Sequence, residues 1–240
     1  MTQSTSTFAP KRTARIAGVL FLLTILTGVF AQFFVSDHLV VWGDPAATAT
    51  NILRSRSLYQ WSFTIYMLEM AFQVATTALF YLLLRPVNRS VALIALCLGL
   101  LGCVIKTTGR LFYLTPLFIL RGAPYLNTFT PEQLRSLALL FLKINDHAAA
   151  MALGFFGLDE LLRSYLIFRS TFLPRALGVM SAITGVGLLT FLSPTLGYRV
   201  FSIVALVGLL ASAAMITWLL VFGVNEQRWR ERAMAARAGS

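Results

Sequence analysis

Six stretches of this chain are almost entirely apolar and each is long enough to cross a lipid bilayer: residues 14–35, 58–84, 91–120, 131–168, 173–192 and 200–224. A hydrocarbon core about 30 Å thick is crossed by roughly 20 apolar residues in a helix. Lipid offers no partner to a free backbone group, so helices or a closed barrel are the only ways across. Runs of this length read as helices, and the fold class is an all-α integral membrane bundle of six transmembrane helices. Composition agrees: 58% of residues are hydrophobic, 12% are charged and mean hydropathy is +0.76, too apolar for a soluble surface.

Turn and charge residues separate the runs, at Arg85-Pro86-Val87-Asn88-Arg89, Arg121-Gly122-Ala123-Pro124, Arg169 to Pro174 and Ser193-Pro194. The fourth run exceeds the hydrocarbon thickness at about 1.5 Å per residue, so its ends project. Between the first two runs, Asp44-Pro45 reads as the cap and first residue of a short interfacial helix ending near Ser57. Ile52 and Leu53 of that helix are expected on lipid, with Arg54 and Arg56 toward phosphates. The length suits a single membrane domain over residues 1–240, with a basic tail at 225–240. A faint echo links Arg15-Ile16-Ala17-Gly18-Val19 with Arg175-Ala176-Leu177-Gly178-Val179, although basic helix starts also recur by chance.

The net charge of +11 does not point to nucleic acid, because most cations sit in short loops and tails. Counted by alternate sides, twelve Lys and Arg lie with the termini, from Lys11, Arg12 and Arg15 to Arg237, and five lie opposite, at Arg54, Arg56, Arg121, Arg135 and Arg199. The excess marks the cytoplasm, which places both termini inside. Trp42, Tyr59, Trp61, Tyr125 and Tyr198 then fall near the outer interface. The arginines of the tail suit a resting place on anionic lipid of the inner leaflet. Residues 16–35 are too long for a signal-peptide core of roughly 7–15 residues, so an uncleaved first helix is expected. Cys97 and Cys103 share one helix and read as packing residues.

Several segments match a known pattern: Arg15-Ile16-Ala17-Gly18, Gly43-Asp44 with Ala47-Thr48 and Asn51-Ile52, Leu84-Arg85-Pro86-Val87-Asn88, Phe155-Phe156-Gly157-Leu158, Ser164-Tyr165-Leu166-Ile167-Phe168-Arg169-Ser170, Phe172-Leu173-Pro174-Arg175, and Trp218-Leu219-Leu220 with Gly223-Val224-Asn225. Through these the chain resembles, over nearly its whole length, the bacterial membrane family catalogued as domain of unknown function number four-three-eight-six. The resemblance implies a small multi-helix membrane protein and carries no catalytic or binding residue with it. Asp159-Glu160 stand where similar sequences carry less charge, which argues against a family-wide site there.

The residues that invite chemistry are the three cations left inside apolar runs, Lys106, Arg110 and Lys143. A charge at membrane depth costs from about 3 to more than 10 kcal/mol and persists only with a partner or water. The second and third runs turn between Val87 and Asn88, and Glu69 and Lys106 are equally far from that point. An antiparallel hairpin therefore sets them level. Glu69 and Gln73 share a face of the second helix, Lys106 and Arg110 a face of the third, and Lys143, Asp146 and His147 a face of the fourth, with Asn145 offset. Counting from the loop near Tyr125 sets Lys106 level with Ile144, and Ala150 and Gly154 continue the fourth helix's face as small residues suited to close approach. Three cations against Glu69 and Asp146 leave one positive charge for water or an anionic ligand to answer.

The expected ligand-binding set is thus Glu69, Gln73, Lys106, Arg110, Lys143, Asp146 and His147, for the binding or transport of a small anionic or amphiphilic molecule. A structural ion network is the plain alternative. Asp159, Glu160 and Arg163 read as a salt-bridged helix end. No metal site is expected, since only His38 and His147 exist and no cysteine pair has ligand spacing, and no cofactor is implied. Asp146-His147 lacks a serine elbow, so no reaction template is complete. A membrane enzyme acting on a lipid-like substrate, and a non-catalytic partner or sensor protein, stay open as other classes. Membrane lipids are the expected partners.

Overall fold

The computed structural model describes residues 9–238, and among these no strand occurs. Six helices are long and apolar enough to cross a membrane: Pro10–Leu39, Arg56–Leu84, Arg89–Leu120, Pro131–Arg169, Arg175–Leu192 and Pro194–Val221, here the first to sixth spans. Their starts are set by local chemistry. Asn88 accepts from the Val91 amide at 3.0 Å and so opens the third span at Arg89. Thr130 and Gln133 cap each other reciprocally ahead of the fourth, with Pro131 at the first helical position. Pro10 and Pro194 begin the first and sixth spans in the same way. The sixth span therefore starts six residues before the apolar run expected from 200.

Each span packs on the next in sequence and the sixth closes on the first, so the six form a ring with sparse contacts across it. Both described chain ends meet at one face, where the Lys11 amide donates to Glu226 Oε1 at 3.3 Å. We call this the terminal face and the opposite one the far face.

Two apolar clusters lie at the ends of the ring. At the terminal face, Leu83, Leu84, Leu166, Leu219 and Val224 pack around Trp229. Trp229 belongs to a further helix, Glu226–Ala238, and its indole donates to the Leu83 carbonyl at 2.8 Å. Gly223, at φ +69, makes the turn into that helix, and its amide reaches back to the Trp218 carbonyl at 3.0 Å. The tail is thus anchored in the bundle by Trp229 instead of resting freely on lipid.

At the far face, Val35, Leu39, Ile52, Tyr59, Tyr113 and Leu142 form the second cluster. Ile52 lies on the connector helix Pro45–Arg54, which Asp44 caps through the Ala47 amide at 2.9 Å. The connector packs against the fourth and third spans, so Ile52 is buried in protein where lipid was expected, while Leu53 stays exposed. Tyr59 is also buried, and its hydroxyl donates to the Tyr113 carbonyl one turn before Pro116. Pro116 has no amide hydrogen for the Phe112 carbonyl four residues before it, and proline loosens the helix around that turn. Trp42, Trp61, Tyr125 and Tyr198 remain exposed.

Register between the third and fourth spans is set by small residues. Added Cβ atoms at Gly109, Gly102 and Gly99 would come within 2.7 to 2.9 Å of Ala148, Phe156 and Asp159, so these helices touch at glycines. That register carries the fourth span farther past the third at the far face than loop counting implied. Lys106 consequently lies below Ile144, and Arg110 meets Asn145. Gly154 faces Leu192 at the end of the fifth span, not the third.

Candidate functional site in the central cavity

Between the two end clusters the ring encloses a cavity of about 380 Å³ with lining residues from all six spans. Its wall is mainly apolar, with Phe21, Ile25, Met70, Leu153, Phe156 and Leu188 among the lining side chains. The polar residues form two layers.

The upper layer, toward the far face, holds the pair expected from hairpin symmetry. Lys106 Nζ stands 2.6 Å from Glu69 Oε1, and the other Glu69 oxygen is buried without a hydrogen-bond partner. A Cβ on Gly28 of the first span would lie 2.9 Å from Glu69 Oε1, so that wall presses directly on the carboxylate. Gln73 lines the same wall and donates to Thr77 at 3.4 Å.

One helical turn above Lys106, Arg110 is only 3% exposed. Its Nη1 donates to Asn145 Oδ1 at 3.0 Å, and its guanidinium carbon sits 3.4 Å from the centre of the Tyr66 ring. No carboxylate among the described residues is within ion-pair distance, and its Nε has no partner. Asp146 also lines the cavity but is taken by the Tyr198 hydroxyl, at 2.5 Å.

A hydroxyl network holds Tyr66 in place. Ser36 and Tyr66 share a hydrogen bond of 2.9 Å, Tyr66 donates to Gln32 at 3.1 Å, and Tyr113 donates to Ser62 at 3.2 Å. Ser36 and Gln32 reach it from a π-helical segment of the first span, Phe30–Ser36. The wider turn shifts the side-chain phase there, as such segments do near functional sites.

Two members of the expected set are not brought in. Lys143 and His147 are exposed and do not line the cavity. His147 Nδ1 pairs with the Lys143 carbonyl at 2.8 Å on their own helix. The fourth span turns Asn145 and Asp146 inward, and a helix rotates about 100° per residue, so 143 and 147 point elsewhere. The spare cation inferred from counting Lys143 therefore disappears from the sum. Lys106 and Arg110 then balance Glu69 and Asp146 in formal charge, but Glu69 pairs with Lys106 and Arg110 has only neutral partners in contact.

The lower layer had been assigned to a helix end. Arg163 donates from Nε to Asp159 at 3.0 Å and also pairs with Glu160. Asp159 and Arg163 are buried, Glu160 and Arg163 line the cavity, and Arg163 lies 5.1 Å from the Phe80 ring centre. Asp159 Oδ2 is buried without a partner. Two carboxylates thus share one guanidinium inside the bundle. Their position within the run 131–168, short of its end, was the available signal of depth. Tyr66 and Tyr113 carried a signal too, each three residues from Glu69 or Arg110 on the same helix face. Nothing in the sequence marked Tyr198.

Among the described residues no group of His, Cys, Asp and Glu is placed to hold a metal ion. Ring and cavity together define a multi-pass membrane protein with a polar chamber between its helices. The chain belongs to the family described as Domain of unknown function (DUF4386), whose model matches residues 16–223. Neither the curated proteins nor the solved structures contain a match to this chain.

Proposed function

We propose that this protein binds a small amphiphilic molecule bearing an anionic group in its central cavity, and moves it, in a bacterial inner membrane with both chain ends cytoplasmic. The observation behind the reading is Arg110: a guanidinium at membrane depth, lining the cavity, with an amide and an aromatic face in place of a carboxylate. Such a cation is several kcal/mol better placed with an anion against it. Lys106 stands one turn away on the same face as a second donor. The apolar remainder of the cavity suits a hydrocarbon tail. The orientation rests on the excess of Lys and Arg on the terminal side.

Dodecyl phosphate and dodecyltrimethylammonium share a tail and differ in head charge. Native mass spectrometry of the detergent-purified protein should show the phosphate binding about tenfold or more tightly than the ammonium. Arg110→Gln should remove that preference and Arg110→Lys keep part of it, with folding checked by thermal unfolding. Equal binding of dodecyl phosphate by the wild type and Arg110→Gln would overturn the proposal.

A further inference from the structure

We infer that the cavity opens sideways into the bilayer, between the first and sixth spans, and that its ligand is a membrane-resident anionic amphiphile and not a soluble anion. The inference rests on the binding function proposed above and names the source of its ligand.

Trp229 and its cluster fill the terminal face with side chains from all six spans, and at the far face the connector helix with the Tyr59, Tyr113 and Ile52 cluster covers the first four spans. The side is not closed everywhere. The first span packs on the sixth along Pro10–Val29, where a Cβ at Gly18 would lie 3.0 Å from Leu219. Its π-helical continuation, Phe30–Ser36, packs on the second span and has no packed interface with the sixth among the described residues. The seam between these two spans is therefore shut in the terminal half and parted in the far half.

Exposure of the lining follows that seam. Met70, Phe80, Phe191 and Met215 line the cavity and are buried. Phe33 on the first span and Tyr198 and Phe201 on the sixth also line it, yet are 43%, 41% and 39% exposed. These three flank the parted seam. Phe30 and Phe34 beside it on the first span, and Ile203 on the sixth, are exposed apolar side chains of the kind that meets lipid.

Depth identifies the kind of molecule. Tyr198 and Phe201 lie four and seven residues into the sixth span, about 6 and 10 Å along a helix. That is the level where headgroups give way to chains. Arg110 stands deeper in the same cavity, where the charge of a lipid-like acid or phosphate entering at this level would be answered. The hydrocarbon chain of such a molecule need never cross water. A soluble anion would instead have to pass an aromatic rim set in the wall of the bundle.

The test places tryptophan at the rim, in Phe33→Trp and Phe201→Trp, with Ile203→Trp as a lipid-facing control on the same span. Each protein is reconstituted in phosphatidylcholine nanodiscs holding either brominated-chain phosphatidic acid or brominated-chain phosphatidylcholine, and fluorescence is corrected for the native tryptophans. Brominated phosphatidic acid should be enriched about fivefold at positions 33 and 201, the scale of one cation's attraction for anionic lipid. No enrichment is expected at 203. Arg110→Gln should abolish the excess, and added inorganic phosphate should leave it unchanged. Equal quenching at all three positions would overturn the sideways opening, as would relief of the excess by inorganic phosphate. Flat rim quenching beside intact Arg110-dependent dodecyl phosphate binding would sink this inference alone. Loss of that dependence would sink the binding function with it.

Discussion

The two charged layers of the cavity are built in opposite ways. The upper layer draws Glu69 from the second span, Lys106 and Arg110 from the third, Asn145 and Asp146 from the fourth and Tyr198 from the sixth. The lower layer, Asp159, Glu160 and Arg163, stands on one helix within a single turn. A local trio can form its ion pairs as soon as its helix does, and none of those pairs joins two spans. A layer spread over four spans exists only in the assembled ring, and its pairs join helices. The layers also differ in balance: above, a guanidinium is left with neutral partners, and below, two carboxylates share a guanidinium. Formal charges balance in the upper layer although Arg110 touches no carboxylate, and the lower layer carries one negative charge in surplus.

Substitutions sharpen that contrast. Arg163→Gln should have the largest effect, lowering stability by about 3–5 kcal/mol, because both carboxylates lose their cation inside the bundle. Unfolding in detergent would measure it, and Asp159→Asn in the same chain should recover most of the loss. A cost for Arg163→Gln smaller than that of Lys106→Ala would break the comparison. Lys106→Ala should follow at about 3 kcal/mol, since it strands Glu69, one of whose oxygens already lacks a partner. Glu69→Gln should restore stability to Lys106→Ala, with a coupling of about 1 kcal/mol or more in a double-mutant cycle. An additive result would show that the cross-helix pair does not join the spans.

Gly109→Ala should cost about 1–3 kcal/mol by overpacking against Ala148, and it should disturb the Arg110 to Asn145 contact one residue on. Reduced dodecyl phosphate binding in a folded Gly109→Ala protein would report that disturbance. The smallest effects belong to residues outside the cavity. Lys143→Ala and His147→Ala should each stay within about 0.5 kcal/mol and leave dodecyl phosphate binding unchanged. A tenfold loss of binding in either would return that residue to the site.

Much of the upper layer was legible beforehand because its logic is one of hairpins. Two apolar runs joined by a short loop must lie antiparallel, so equal distances from the loop bring Glu69 and Lys106 level. Helical spacing put Arg110 one turn farther along the same face. The argument weakened at the next connection, where residues 121–130 form a longer loop and the fourth span projects. Gly109, Gly102 and Gly99 decide that register, and no count from a loop reveals which glycine meets which neighbour. Asn145 therefore joins Asp146 on the inner side, in place of the Lys143 and His147 expected beside it. The lower layer was misread for a simpler reason: a triad at i, i+3 and i, i+4 looks alike on an exposed helix end and inside a bundle.

By itself the sequence determined that this chain crosses a membrane six times, where most of its helices begin and which carboxylate meets Lys106. Those outcomes follow from apolar length, capping and hairpin geometry, all of which act over short stretches of chain. Only the tertiary structure decided that the helices close into a ring around a cavity, that the connector and the Trp229 helix pack onto its ends, and that Arg110 is left without a carboxylate in contact. Closure joins the first span to the sixth, about two hundred residues apart, and depends on how side chains fit where no periodicity in the chain records it.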